Sequence, residues 1–179
     1  GLQALHRREM LHQDLRPHNV MIDADGKVTL IDLGAARVAG IGEIGTRGVE
    51  DRPGTLQYGA PEYLLGASGT NASDIYALGV IVYQLLTGAL PYGAQVASAT
   101  TPAAQRRLRY RSARERNPQV PEWVDAAIAR AVATDPAHRY AELSEFLYDL
   151  RNPNPVLPVP GARPQLTLGP ARAWQIVAL

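Results

Sequence analysis

Asp14 and Asn19 lie five positions apart in "HQDLRPHN", and Asp32 follows thirteen positions after Asn19 in "VTLIDLG". Together they offer three oxygen-bearing side chains that a short hairpin folds towards one place. Oxygen donors suit Mg²⁺, a hard ion of near-octahedral preference. It takes only one or two protein carboxylates and completes its shell with water and phosphate oxygens. In that reading Asn19 and Asp32 hold the metal. Asp14, on the same turn but not needed as a ligand, is left to accept a proton from an incoming hydroxyl, and Arg16 leans over a transferring phosphate. The same three residues also serve well as caps and turn formers, and that alternative stays open.

The elements that must position these groups can be read from local pattern. "NVMID" and "VTLID" are β-type runs separated by Ala24, Asp25, Gly26 and Lys27, which predicts a hairpin. The opening "GLQALHRREMLHQD" reads as the last turns of a helix entering the Asp14 loop. From Gly34 to Gly59 the chain is rich in glycine and has no sustained period, so a long loop is expected there. "SDIYALGVIVYQLLTG" is apolar on nearly every side, which predicts a central buried helix with a Ser-Asp cap and an end at Gly88. "PEWVDAAIARAVATDP" predicts a second helix with Pro121 at its first position, burying Trp123, Val124, Ala127, Ile128, Ala131 and Val132. A third, around "AELSEFLYDL", puts Leu143, Phe146, Leu147 and Leu150 on one face. Pro153, Pro155, Pro158, Pro160 and Pro164 then favour extended geometry.

Composition limits the function classes. At 179 residues the chain has a one-domain length with enough apolar residues for a sizeable core. Its net charge of +1 gives no overall field of the kind that marks a nucleic-acid binder. The absence of cysteine excludes disulfides and thiolate metal sites and favours a cytoplasmic setting. Of the eighteen basic residues only Lys27 is a lysine. The run "RRLRYRSARER" holds Arg106, Arg107, Arg109, Arg111, Arg114 and Arg116 around Tyr110. It reads as a solvated helix face in preference to a nucleic-acid or phosphopeptide site.

Taken with their order and spacing, "HQDLRPHN", "DLG", "APE" and "SDIYALG" resemble the catalytic-loop, metal-loop, activation-segment and central-helix signatures of eukaryotic-type protein kinases. His12, Asp14 and Asn19 fill the H-x-D-x-x-x-x-N frame. Asp32, Leu33 and Gly34 stand for D-F-G, and Ala60, Pro61 and Glu62 for A-P-E. The resemblance implies a mainly α fold, the large C-terminal lobe of a kinase with a small hairpin at the catalytic loop. Its expected bounds are residues 1–151, with a Pro-rich linker at 152–170 and, at 171–179, either the start of a truncated transmembrane segment or a frayed tail. It implies that Asp14 orients and deprotonates a substrate hydroxyl, that Asn19 and Asp32 bind the Mg²⁺ of MgATP (Mn²⁺ could replace it), and that Arg16 stands where most serine/threonine kinases have lysine. Serine/threonine specificity follows from "GTLQYGAPE", with Thr55 in the place of the threonine characteristic of that class. His12, Asp74 and the pair Glu62 and Arg139 are expected to be structural. Thr46 and Thr55 are candidate phosphorylation positions.

The glycine-rich phosphate loop, strand lysine and paired helix glutamate of the smaller kinase lobe have no counterpart here, and Lys27 sits in the hairpin turn. The chain alone is therefore expected to be inactive and its parent to be an ATP-dependent kinase of protein substrates; a pseudokinase scaffold is the alternative. "RLRYRSARERNP", "DPAHRY" and "LSEFLYDLRNPNP" further resemble bacterial chains that join a PP2C-like phosphatase to a kinase domain followed by a membrane helix. That points to the inner face of a bacterial membrane, with an anchor just beyond residue 179. Gln13, where many kinases have arginine, argues against a phosphate switch on the activation segment.

Overall fold

The computed structural model describes residues 1–38 and 57–160. Helix α1 (Leu2–His6) leads into the two-residue strand β1 (Met10–Leu11), a polar turn, and the hairpin of β2 (Val20–Ile22) and β3 (Val28–Leu30). Val20 faces Leu30, Met21 faces Thr29 and Ile22 faces Val28. The hairpin turns on Asp23, whose Oδ1 accepts the N–H groups of Asp25 and Lys27, and on Gly26, whose φ of 78° needs no Cβ. A regular element does form within the stretch read as loop: β4 (Arg37–Val38) pairs antiparallel with β1, Met10 opposite Val38. Two residues with neighbours from another part of the chain leave no periodic signal of their own.

Helix α2 (Asn71–Thr87) is the axis of the molecule. Ile75, Ala77 and Ile81 enter one apolar cluster with Ala127, Leu143 and Phe146, while Tyr76, Val80 and Tyr83 enter a second with Val96, Ala113 and Ile128. A helix buried between two clusters has no polar face to display, hence its nearly continuous apolar sequence. Its start differs from the Ser-Asp cap expected. The N-cap is Thr70, and Ser73 lies one turn inside, with its Oγ accepting the Thr70 N–H at 3.0 Å. Gly88 ends it in the left-handed conformation, as expected. Gly79 permits close packing: a Cβ there would stand 2.8 Å from Val132 Cγ1 and 3.0 Å from Ala131 Cβ.

Short helices α3 (Pro102–Arg107) and α4 (Ala113–Arg116) precede α5 (Glu122–Ala131), which packs on α2, and α6 (Leu143–Asp149) closes the first cluster. In α5, Pro121 is the N-cap and not the first helical residue, and Trp123 and Val124 are only half-buried, whereas Asp125 and Ala126 are fully buried. The inward Asp125 reverses the simple apolar-face expectation because three donors wait for it: Tyr110 Oη at 2.6 Å, Ser112 Oγ at 2.5 Å and the Ala113 N–H at 2.8 Å. In the described part of the Pro-rich stretch, Leu157 is buried in the first cluster and Asn154 Nδ2 donates to Asp149 Oδ1 at 3.0 Å. Among the described residues no helix is long and apolar enough to cross a membrane. Residues 171–179, where a transmembrane start is expected, lie outside them.

Candidate active site

The turn from His12 to Asn19 belongs to neither helix nor strand, so its amides need partners from elsewhere. Asp74 supplies them. Its Oδ2 accepts the His12 N–H at 2.8 Å, its Oδ1 accepts the Gln13 N–H at 2.9 Å, and His6 Nε2 lies 3.0 Å from Oδ2. A carboxylate can only accept, so Nε2 carries the proton. Asp74 is 1% exposed and sits in the first turn of α2, where the helix dipole favours negative charge. Gln13 is thereby held at a φ of 63°, and the chain is turned so that Asp14 follows at the protein surface. The His12 ring is fully buried and, among the described residues, neither ring nitrogen has a partner. The His12 backbone N–H, and not the ring, makes the hydrogen bond to Asp74.

Pro17–Asn19 form a 3₁₀ turn begun by proline, closed by the Asn19 N–H on the Arg16 carbonyl at 2.9 Å. This brings Asn19 back to Asp14. Its Nδ2 donates to the Asp14 carbonyl at 2.7 Å and to Asp14 Oδ2 at 3.2 Å, which leaves Asn19 Oδ1 as the atom that can face a cation. Arg16 Nε lies 3.8 Å from Asp14 Oδ2, so the cation and the carboxylate share one edge of the turn. Asp32 arrives from the other strand: the Ile31 N–H donates to the Asn19 carbonyl at 3.0 Å, one register step past β3, and Asp32 is the next residue. It adopts φ 60°, ψ 71°, a left-handed conformation that costs a side-chain-bearing residue ~1–2 kcal/mol. Its Oδ1 accepts the Gly34 N–H at 3.3 Å.

Asp14, Arg16, Asn19 and Asp32 thus gather at the open end of the hairpin, although among the described residues no hydrogen bond joins the Asp32 carboxylate to Asp14 or Asn19. Among the described residues no three His, Cys, Asp or Glu side chains gather into a metal site. One amide oxygen and one carboxylate fit instead a Mg²⁺ that brings phosphate and water ligands with it. Thr55 and Thr46 lie outside the described residues.

Glu62 and Arg139 meet well away from this turn. Arg139 donates from Nη1 to Glu62 Oε1 at 2.8 Å and from Nη2 to Oε2 at 2.6 Å. Its remaining N–H groups reach the carbonyls of Ala133, Ala72 and Thr134, so all five donors are used. Ser73 Oγ adds a bond to Glu62 Oε1 at 2.7 Å. Burial pushes the Glu62 carboxyl up, but the Arg139 hydrogen bonds and charge, with Ser73, outweigh it and hold Glu62 below the ordinary carboxylate value.

Three contributors escape a reading of the sequence. His6 is 68 residues from the Asp74 it serves. Tyr58 donates to Gln84 Oε1 at 2.7 Å, tying the segment before Ala60 to α2. Gln105, buried in α3, donates from Nε2 to the Pro61 carbonyl at 2.6 Å and the Ala99 carbonyl at 3.1 Å. Tyr58 and Gln84 stand within the segments quoted above, but no local spacing says that they meet.

The protein kinase domain family matches residues 1–148. The serine/threonine-protein kinase PrkC of Bacillus subtilis is 33% identical over 154 residues, which cover 82% of this chain and 22% of PrkC. The serine/threonine-protein kinase PknL of Mycobacterium tuberculosis is 37% identical over 151 residues, 84% of this chain and 37% of PknL. The crystal structure of the Mycobacterium tuberculosis PknI kinase domain superposes with a TM-score of 0.58 at 27% identity, covering 84% of this chain and 49% of that one. The chain therefore spans between about a fifth and somewhat over a third of these curated relatives and about half of a solved kinase domain.

Proposed function

The chain belongs to the protein kinase family, in its bacterial Hanks-type serine/threonine branch, with the fold of the large lobe, and from that premise we propose that it carries the catalytic and metal-binding residues of an ATP- and Mg²⁺-dependent protein serine/threonine kinase. The observation that carries this is the turn in which Asn19 Nδ2 is held by Asp14, leaving Asn19 Oδ1 to face a cation, while the Asn19 carbonyl accepts the N–H of Ile31, the residue before a left-handed Asp32. Asn19 Oδ1 and the Asp32 carboxylate would hold the ion, which when bound neutralises charge on the phosphate oxygens. Asp14, fixed by Asn19 and flanked by Arg16, orients the substrate hydroxyl and takes its proton at the carboxylate oxygen. Arg16 stands beside the phosphate as a planar cation where a lysine would be a point charge.

Phosphate transfer in this reading needs the smaller lobe. Met21, Ile22 and Val28 on the hairpin are 57%, 68% and 56% exposed, an apolar surface suited to being covered. No lysine other than Lys27, in the hairpin turn, is available to pair with ATP phosphates. Gln13 is a neutral amide, so position 13 offers no cation to a phosphorylated activation segment. An anchor beyond residue 179 at a membrane's inner face also belongs to this reading, and the gene sequence past that point checks it.

Transfer from ATP to a protein substrate, measured for the full-length protein, its Asp14→Asn variant and the 179-residue chain, tests the proposal. Turnover is expected only from the first. Mg²⁺-dependent nucleotide binding without turnover in the full-length protein would replace it with a scaffold role, and turnover by the isolated chain would remove the need for a second lobe.

A further inference from the structure

The arginine-rich stretch from Arg106 to Arg116 is not used by the site described above, and its geometry is specific. Its inward positions are anchored one by one. Gln105 is tied to Pro61 and Ala99, Leu108 and Ala113 are buried, the Arg111 N–H donates to the Pro91 carbonyl at 3.0 Å, and buried Asp125 takes Tyr110, Ser112 and the Ala113 N–H. The intervening positions are exposed: Arg106, Arg107, Arg111 and Arg116 face outward, as does Arg109, whose Nη1 also donates to the Arg106 carbonyl at 3.0 Å and the Leu108 carbonyl at 3.3 Å. Among the described residues only Arg114 of this stretch has a carboxylate partner, Glu122 Oε1 at 2.6 Å. Six arginines and one glutamate therefore share eleven residues in a chain whose net charge is +1. Nearby like charges repel, and a fixed backbone prevents them from spreading apart.

We propose that this face docks an acidic segment, rich in Asp and Glu, of the protein substrate. The inference rests on the kinase reading for the identity of the partner, and on charge complementarity and position for the surface. Guanidinium forks match carboxylates two bonds at a time, and arginine is the cation suited to that geometry. Position follows from Gln105: its bond to the Pro61 carbonyl fixes α3 beside the A-P-E segment. A partner held on the arginines is thus held next to the segment that, in the kinase reading, meets the substrate. Nucleic acid fits less well. Single strands bind by stacking bases on exposed aromatic rings between the cations. The one aromatic here, Tyr110, is turned inward, edge-on to Tyr83 at 5.8 Å and to Tyr92 at 6.2 Å, with its hydroxyl on Asp125.

The test uses full-length protein and fluorescence anisotropy of a fluorescein-labelled Glu/Asp peptide, without nucleotide. Arg109→Gln/Arg111→Gln and, independently, Arg106→Gln/Arg107→Gln should each weaken binding by about tenfold or more, the scale of losing charge-assisted paired contacts. Arg151→Gln, an exposed arginine outside the stretch, should leave it unchanged. Thermal melts confirm folding, and since both pairs are solvent-facing, either variant suffices if the other fails to fold. Binding should persist in Asp14→Asn, so a failure of phosphate transfer and a failure of docking are read separately. Peptide binding indifferent to both pairs would overturn the proposal. So would a single-stranded oligonucleotide that binds more tightly than the peptide and is lost in the same variants, which would make the face a nucleic-acid surface.

Discussion

Asp14 shares its carboxylate with Asn19 Nδ2 at 3.2 Å and Arg16 Nε at 3.8 Å, so a change at position 14 can be made to remove basicity with little loss of shape. Asp14→Asn keeps the volume but cannot take a proton. In the full-length protein kcat should fall by ~10²–10⁴-fold, the range of a positioned general base, with the Kd for nucleotide unchanged. Steady-state rates and nucleotide titration check both halves, and an equal loss of nucleotide affinity would assign Asp14 to binding. Glu62 answers a different question. Its partner Arg139 is buried, so Glu62→Gln leaves a guanidinium without its counter-charge and should cost ~3–5 kcal/mol of stability. Because the folded carboxyl is held below its ordinary value of 4.5, its stabilisation is complete above that pH and is lost as pH falls through it towards the folded value. Denaturation of wild type and Glu62→Gln followed from neutral to acid pH should therefore converge at the acid end.

At the scale of elements, the acidic anchor in α5 decides how the arginine stretch is held. Asp125 is fully buried and, among the described residues, has no cation; three hydrogen bonds satisfy its carboxyl oxygens. Asp125→Ala strands the Tyr110 and Ser112 hydroxyls and the Ala113 N–H, a loss of ~2–4 kcal/mol given ~1–3 kcal/mol for each buried group left unpaired, partly recovered by water. Urea denaturation measures it, and a change within about 0.5 kcal/mol, the range of ordinary surface positions, would show that the stretch is not pinned from α5. This anchor also marks where sequence reading stopped. The helix period in "PEWVDAAIARAV" places α5 correctly and Val124 does pack against the second cluster, but the period ranks Trp123 as inward and passes over Asp125 because apolar type is its only measure of burial. Donors that arrive from residues 110–113 are invisible to it. The Asp14 turn was legible for the opposite reason: Asp14, Arg16 and Asn19 act within six residues, and the hairpin that delivers Asp32 has its own local signal in Asp25 and Gly26. His6 supporting Asp74, and β1 pairing with β4, depend on contacts that exist only once the chain has folded.

The whole molecule is organised by α2, which joins both apolar clusters and carries Asp74 to the Asp14 turn, so packing far from the turn bears on it. The Pro-rich stretch after α6 offers a sharp test of how far this cooperative unit extends. Val156 and Leu157 are neighbours in the same segment, yet Val156 is 87% exposed and Leu157 is 9% exposed within the first cluster. If residues up to 157 fold with the helices, Leu157→Ala removes buried methyl groups and should lower stability by ~2 kcal/mol, the low end for a buried leucine because the segment can close over the gap. Val156→Ala should stay within about 0.5 kcal/mol. Both are measured as shifts in urea midpoint at constant slope, since an altered slope would mean that the segment unfolds separately. Equal and negligible effects would place the end of the cooperative unit at α6. A selective loss at Leu157 would place it past 157, with the segment held to α6 through Asn154 and Asp149 and to the first cluster through Leu157.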